Sequence, residues 1–362
     1  MAPPRPRAGI ANIKPHMLPA GATLPTAAIN LASNESAFGP GEAALAALRE
    51  ATAVERYAED AAARLAQAIG ERFDLPAGQI VVGHGSDDLL ARLARAYLEP
   101  GSELIHSRNG YPKFPNYAYA NDATPVAAPD DDLRASVDGI LASVTPRTRA
   151  VFLANPDNPS GSFLPGEEVR RLHAGLPEEV LLVLDSAYAE YVDAPDHLPA
   201  EDLVRTAGNV VMTRTFSKVF GLAGLRLGWL FAPPAIADVI RRIGITFPLS
   251  LPAFAAAQAA LEDRAHFARV VAENDRLRAW TTDRLTALGL QVYPSQGNFL
   301  LVRFPEAAGS AAEAETFLQA RGIAVRRFGS PAYRDCIRVT IGLQAEMQAL
   351  VDELDTFLKG AR

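Results

Sequence analysis

Lys218 stands in TRTFSKVFGLAGLRLGW, with hydroxyls one and three residues before it, Ser217 and Thr215, and Arg226 eight residues after it. The intervening FGLAGL is small and apolar. A lysine crowded by such residues loses hydration, which disfavours the ammonium and frees the amine to attack a carbonyl. The hydroxyls and the arginine suit a phosphate. A lone lysine is ordinarily a solvated surface group, so this reading depends on what the rest of the chain supplies.

Three further segments carry candidate chemistry. GHGSDD (83–88) lies between a strand-like and a helix-like run, where backbone amides and the Ser86 hydroxyl can face an anion at a helix N-terminus. The plainer alternative is a glycine turn with a Ser/Asp cap. The segment lacks the G-x-G-x-x-G spacing of a dinucleotide fingerprint. NPDNPSG (155–161) brackets Asn158 with prolines that fix the backbone, or is simply an Asn-Pro turn. LDSAY (184–188) ends a third strand-like run with Asp185 and then presents Tyr188. A carboxylate there can pair with a protonated ring nitrogen, and the phenol can reach a ring oxygen.

The elements that must position these groups alternate along the chain. IVVG (80–83), ELIH (103–106), RAVFLANP (149–156), EVLLVLD (179–185), NVVMT (209–213) and LGWLFA (227–232) are short, continuously apolar runs, as strands buried on both faces are. Helical stretches are expected over Glu42 to Thr52 and over Asp60 to Phe73, where Leu65, Ile69 and Phe73 share a face, and in LLARLARAYL after GHGSDD. This alternation predicts an α/β fold, a mostly parallel sheet with helices on both sides and its ligands beyond the carboxyl ends of the strands. From about Pro252 a long helical region is expected to Leu288, then strand candidates QVYP, NFLLVRF, IAVRRF and CIRVTI, and a last helix from Gln344 to Lys359. That tail predicts a smaller α+β domain. The run DDD at 130–132 predicts a solvated loop or helix start.

A chain of 362 residues has ample core for such a fold. The net charge of −7 argues against nucleic acid or an anionic membrane as the main partner and for small-molecule chemistry. No apolar run has the length of a signal peptide or a bilayer span, so a cytoplasmic protein is expected, and the proline-rich start predicts an arm. The single cysteine, Cys336, falls in an apolar run and predicts a core position. No metal is expected.

NESAFGP, GHGSDD, NPDNPSG, DSAY, TFSKVFGLAGLRLG and IRVTIG follow one another in a familiar order. Together they resemble the fold-type I pyridoxal-phosphate enzymes, specifically the histidinol-phosphate aminotransferase group of the class I/II aminotransferases. The resemblance implies a mostly parallel seven-stranded-type sheet sandwiched by helices. It implies an N-terminal arm over 1–40 packing on the small domain and a partner subunit, a large cofactor-binding domain over 41–250 and a small domain over 251–362. Lys218 would hold the cofactor aldehyde, Asp185 would keep the pyridine nitrogen protonated, and Asn158 and Tyr188 would bond the ring's phenolic oxygen. Gly85, Ser86, Asp87, Thr215, Ser217 and Arg226 would surround the phosphate, the first three mainly through backbone amides. Tyr57 matches a tyrosine that reaches the neighbouring subunit's phosphate, which implies a homodimer. Arg338 matches the arginine that grips the α-carboxylate, and Asn34 one that borders the substrate.

The departures fall on the substrate side. By spacing, the aromatic that stacks on the cofactor is Phe114, with Tyr111 as the alternative in SRNGYPKFPNY. His16 or Met17 stands where a Pro-Tyr is usual. Arg326 matches a phosphate-side arginine, while its neighbour Arg327 points to the other strand face. The activity implied is ping-pong transfer of an amino group between an amino acid or amino-alcohol phosphate, histidinol-phosphate-like or aromatic, and a 2-oxo acid, with pyridoxal phosphate as cofactor. A decarboxylase or another specialised enzyme on the same fold is the nearest alternative, and a non-catalytic ligand-binding module is one from another class.

Overall fold

The computed structural model describes residues 4–13, 29–305 and 309–360. His16 and Met17 lie outside these. Seven strands form the central sheet: β1 (Ile80–Gly83), β2 (Glu103–Ser107), β3 (Thr124–Ala128), β4 (Thr148–Ala154), β5 (Leu181–Asp185), β6 (Val210–Thr215) and β7 (Gly228–Phe231). Their spatial order is β1-β7-β6-β5-β4-β2-β3. Neighbours run parallel except at β7, which is antiparallel to both β1 and β6.

Successive strand residues enter opposite cores, which is why the strands read as unbroken apolar runs. Phe152 and Val183 face Leu89 and Leu93 of helix Gly85–Tyr97 and Ile240 of helix Pro234–Arg242. Their chain neighbours Val151 and Leu182 face Leu65 and Ile69 of helix Ala61–Phe73. The strand β3 has no such run. It is an edge strand with only β2 beside it, mostly unburied, and its Pro125 sits where a missing N–H is tolerated.

The helical region expected to run unbroken to Leu288 is two helices, Leu251–Glu262 and Arg264–Ala287. Asp263 separates them and caps the second, its carboxylate accepting the His266 N–H at 2.9 Å. The first helix packs Phe254, Ala257 and Leu261 into the core that holds Ala44 and Leu65, so the boundary expected at 251 falls inside the larger unit. The smaller unit has an antiparallel sheet of Gln291–Val292, Phe299–Arg303 and Cys336–Thr340, packed on helices Ala311–Ala320 and Gln344–Gly360. Ile29–Asn30 pairs in parallel with Ile323–Ala324, and Leu31 enters the small-unit core. The turn Ala8–Asn12 instead touches the larger unit, where the Gly9 N–H donates to Asp122 at 2.8 Å.

The acidic run is not merely solvated. Asp130–Asp131 pairs with Arg134–Ala135, and the Asp130 carboxylate accepts the Ser107 hydroxyl (2.5 Å) and the N–H groups of Arg108 (3.0 Å) and Asn109 (2.8 Å). It thereby fixes the loop leaving β2. No helix among the described residues is long and apolar enough to cross a membrane.

Candidate active site

A cavity of about 390 Å³ opens beyond the carboxyl ends of β4, β5 and β6, where Ala154, Asp185 and Thr215 reach its wall. The segment after β6 turns Lys218 toward it. Phe216, Val219, Phe220 and Leu222 are buried in the core, and their anchoring leaves the half-buried Lys218 as the side chain facing the cavity. Its Nζ donates to the Ser33 carbonyl at 3.4 Å and lies 5.7 Å from the centre of the Tyr188 ring. Ser33 arrives because segment 33–40 crosses this loop closely: Gly221 has φ +68°, and a Cβ there would fall 2.3 Å from the Gly39 backbone. Only glycine fits that crossing.

One end of the cavity is built for an anion. The Asp88 carboxylate accepts the N–H of the N-cap residue His84 at 2.9 Å, but the His84 side chain caps none of the helix Gly85–Tyr97 amides, so the first of these are free to face a ligand. Gly85 has φ +79°, and a Cβ would sit 3.0 Å from Arg226 Nη2, so the bare backbone lets the guanidinium close on the helix end. Arg226 donates to the Ala223 carbonyl at 2.9 Å and to Ser217 Oγ at 3.5 Å, and has no carboxylate partner among the described residues. The Ser217 N–H donates to Thr215 Oγ1 at 3.1 Å, which holds both hydroxyls beside it.

The other end is a hydrogen-bonded relay. Arg338, on strand Cys336–Thr340, donates to Asn158 Oδ1 at 2.5 Å and to the Ala32 carbonyl at 2.6 Å. Because a guanidinium only donates, Asn158 must turn its amide nitrogen to Tyr188, 3.3 Å from the phenol oxygen. Asn34 is fixed in the same way. Thr340 Oγ1 accepts the Asn34 N–H (2.9 Å) and donates to Asn34 Oδ1 (3.1 Å), leaving the Asn34 amide nitrogen 3.0 Å from the same phenol oxygen. Tyr188 thus accepts two N–H groups and retains its own proton to donate into the cavity.

Two charged groups here lack the counter-ion their burial calls for. Asp185 accepts only the Thr213 hydroxyl (3.1 Å) among side chains, and burial pushes its carboxyl from 3.8 to about 7. Burial likewise pulls Arg338 down to about 10, and its Nε has no partner. A buried carboxylate waiting for a cation and a buried guanidinium waiting for an anion thus border the same cavity.

Asn34, Ser86, Asp87, Asn158, Asp185, Tyr188, Thr215, Ser217, Lys218, Arg226 and Arg338 all line this cavity, and Gly85 backs it. Phe114 does not. It begins helix Phe114–Tyr119, is 2% exposed and packs edge-on against Phe152 in the core, 5.5 Å between centres. Of the two candidates it is Tyr111 that lines the cavity, its ring meeting Phe114 edge-on at 5.3 Å. Tyr57 is 74% exposed and stacks on Phe247 outside the cavity. Arg327 pairs with Glu315 at 3.4 Å, whereas Arg326 is exposed and joined to Arg338 by backbone hydrogen bonds. Ser33 and Glu35 also line the cavity, with no sequence signal beyond adjacency to Asn34.

Residues 26–354 match the family described as Aminotransferase class I and II. The chain is 48% identical over 366 residues to the histidinol-phosphate aminotransferase of Rhodospirillum centenum, covering 99% of this chain and 100% of that protein. It is 46% identical over 361 residues to that of Paramagnetospirillum magneticum, covering 99% of each. The histidinol-phosphate aminotransferase from Sinorhizobium meliloti, solved in complex with pyridoxal-5'-phosphate, superposes with a TM-score of 0.88 at 34% identity, over 93% of this chain and 92% of that one.

Proposed function

The chain belongs to the class I and II aminotransferases, and on that premise we propose that it moves an amino group between histidinol phosphate and a 2-oxo acid, with pyridoxal phosphate as its cofactor. The observation that carries this reading is the meeting of Lys218, Asp185, Arg226 and Arg338 on one cavity, each with a task the cofactor or substrate defines. The residues present fit the cofactor. The cradle of uncapped amides and Arg226 suits its phosphate, and the buried Asp185 carboxylate suits a protonated ring nitrogen.

When bound, the cofactor supplies an electron sink for the pair left at the donor's α-carbon and carries the amino group between the two half-reactions. Asp185 would hold the ring N–H by a charge-assisted hydrogen bond. Tyr188 would donate its free proton to the ring's phenolic oxygen, with the Asn158 amide beside it. Tyr111 would cover the ring. With the cofactor in place, Lys218 Nζ would hold its aldehyde carbon until the donor's amino group displaces it, and the freed amine would then carry the proton from the donor's amino-bearing carbon to the former aldehyde carbon. Arg338 holds the acceptor's α-carboxylate, with Arg326 on the side of the donor's phosphate.

Tyr57 and Phe247 stack on each other and are both exposed, an apolar pair suited to contact with a second copy. We propose that Tyr57 serves the neighbouring subunit's phosphate, a role its exposure outside its own chain's cavity supports. Cys336 is buried and free, in keeping with a cytoplasmic enzyme.

The half-reactions test this reading. Histidinol phosphate added to the cofactor-loaded protein should abolish the absorbance of the aldehyde form, and 2-oxoglutarate should restore it. With a phosphorylated amino acid supplied instead of histidinol phosphate, carbon dioxide released without pyridoxamine phosphate would point to the decarboxylase.

A further inference from the structure

Asp87 places a carboxylate on the wall that also carries Ser86 and Arg226, beside the anion-holding end of helix Gly85–Tyr97. A negative charge there opposes a phosphate. The carboxylate is well occupied. One oxygen accepts the phenols of Tyr111 (3.2 Å) and Tyr117 (2.8 Å), and the other accepts the Lys113 ammonium at 2.7 Å. Burial pushes the Asp87 carboxyl up, but Lys113, Tyr117 and Tyr111 outweigh it and leave it below its ordinary value. Asp87 is therefore an anion at neutral pH.

Of the cations near this wall, Arg226 faces the ligand space and Lys113 faces Asp87. Lys113 lies between Tyr111 and the helix that begins at Phe114, so one short stretch supplies both the cavity's aromatic wall and the counter-charge. Lys113 has no role assigned on sequence grounds. Resting on the pyridoxal-phosphate reading above, we propose that Lys113 is a positioning residue: it cancels the charge of Asp87, so that Asp87 can pin the Tyr111 ring without driving the cofactor's phosphate from Arg226 and the helix amides.

The bland alternative is a surface ion pair. With side chains 45% and 33% exposed, Lys113 and Asp87 would then contribute little to anything. The two readings separate on ligand charge. The measurement is the dissociation constant of the cofactor-free full chain for pyridoxal phosphate and for pyridoxal, which lacks the phosphate, followed by fluorescence quenching at low salt. Lys113→Met should weaken pyridoxal phosphate about tenfold and pyridoxal by less than about twofold. Lys113→Arg should stay within about twofold of wild type. Adding Asp87→Asn to Lys113→Met should recover most of the loss, since the amide keeps an oxygen for Tyr111 but no charge.

Unchanged pyridoxal phosphate binding in Lys113→Met, an equal loss for both ligands, or no recovery in the double variant would each overturn the proposal. A Lys113→Met protein with lost melting cooperativity leaves Lys113→Arg to decide, through tight binding of the phosphate form or its loss. Failure of the wild type to bind pyridoxal phosphate would instead overturn the functional reading on which this one rests.

Discussion

A carboxylate buried as Asp185 is works against the fold until a cation meets it. The unfolded chain releases this proton near 3.8 and the folded chain only near 7. Between those values the folded state carries the extra proton, so stability falls as pH rises through that window. Asp157, buried beside Asp130 and also raised to about 7, acts in the same direction. Asp185→Asn removes one of the two contributions. The cofactor-free variant should lose less melting temperature between pH 5 and pH 8 than wild type does, while kcat/KM falls on the order of 10²- to 10³-fold. An equal pH loss in both proteins would mean that Asp185 is ionised in the empty site. The sequence made Asp185 legible because a lone carboxylate at the end of an apolar run is conspicuous. The Asn34–Thr340 and Asn158–Arg338 bonds that orient Tyr188 join residues far apart in the chain, and no local pattern announces them.

Elements decide which aromatic lines the cavity. Helix Phe114–Tyr119 turns Phe114, Tyr117 and Ala118 to one buried face, the i, i+3, i+4 stripe of a packed helix, while Tyr111 precedes the helix and is free to form the wall. Spacing from β2 alone could not fix this, because the helix start sets which ring points inward. Phe114→Ala should cost about 3–5 kcal/mol of stability by leaving a cavity. Tyr111→Ala should leave the melting temperature of the cofactor-free protein nearly unchanged and weaken cofactor binding about tenfold. A reversal of the two effects in paired melting and binding experiments would restore Phe114 to the wall. The same limit explains the missed strand β3. Its residues are too exposed to show an apolar run, whereas the six strands read from sequence are buried on both faces. The break at Asp263 was likewise hidden, because helical propensity is high on both sides of a single capping residue.

At the scale of the whole molecule, the site within one chain leaves Tyr57 outside it, stacked on Phe247 and exposed. If Tyr57 serves the neighbouring subunit, two defective variants should repair each other. In a hybrid dimer of Lys218→Ala and Tyr57→Ala chains, one site has lost both groups and the other keeps Lys218 together with an intact Tyr57. Mixing and refolding the two variants should therefore recover roughly a quarter of wild-type activity, the share expected from random pairing in a twofold dimer. Activity no higher than that of Tyr57→Ala alone would place Tyr57 in its own chain's site or in none. The central claim concerns Lys218, and the chain has only Lys14, Lys113 and Lys359 besides it. Borohydride reduction of the pyridoxal phosphate-loaded protein, followed by peptide mass mapping, should find the pyridoxyl group on Lys218 and on none of the other three. Label on a different lysine, or an unmodified Lys218 in cofactor-saturated protein, would contradict the account.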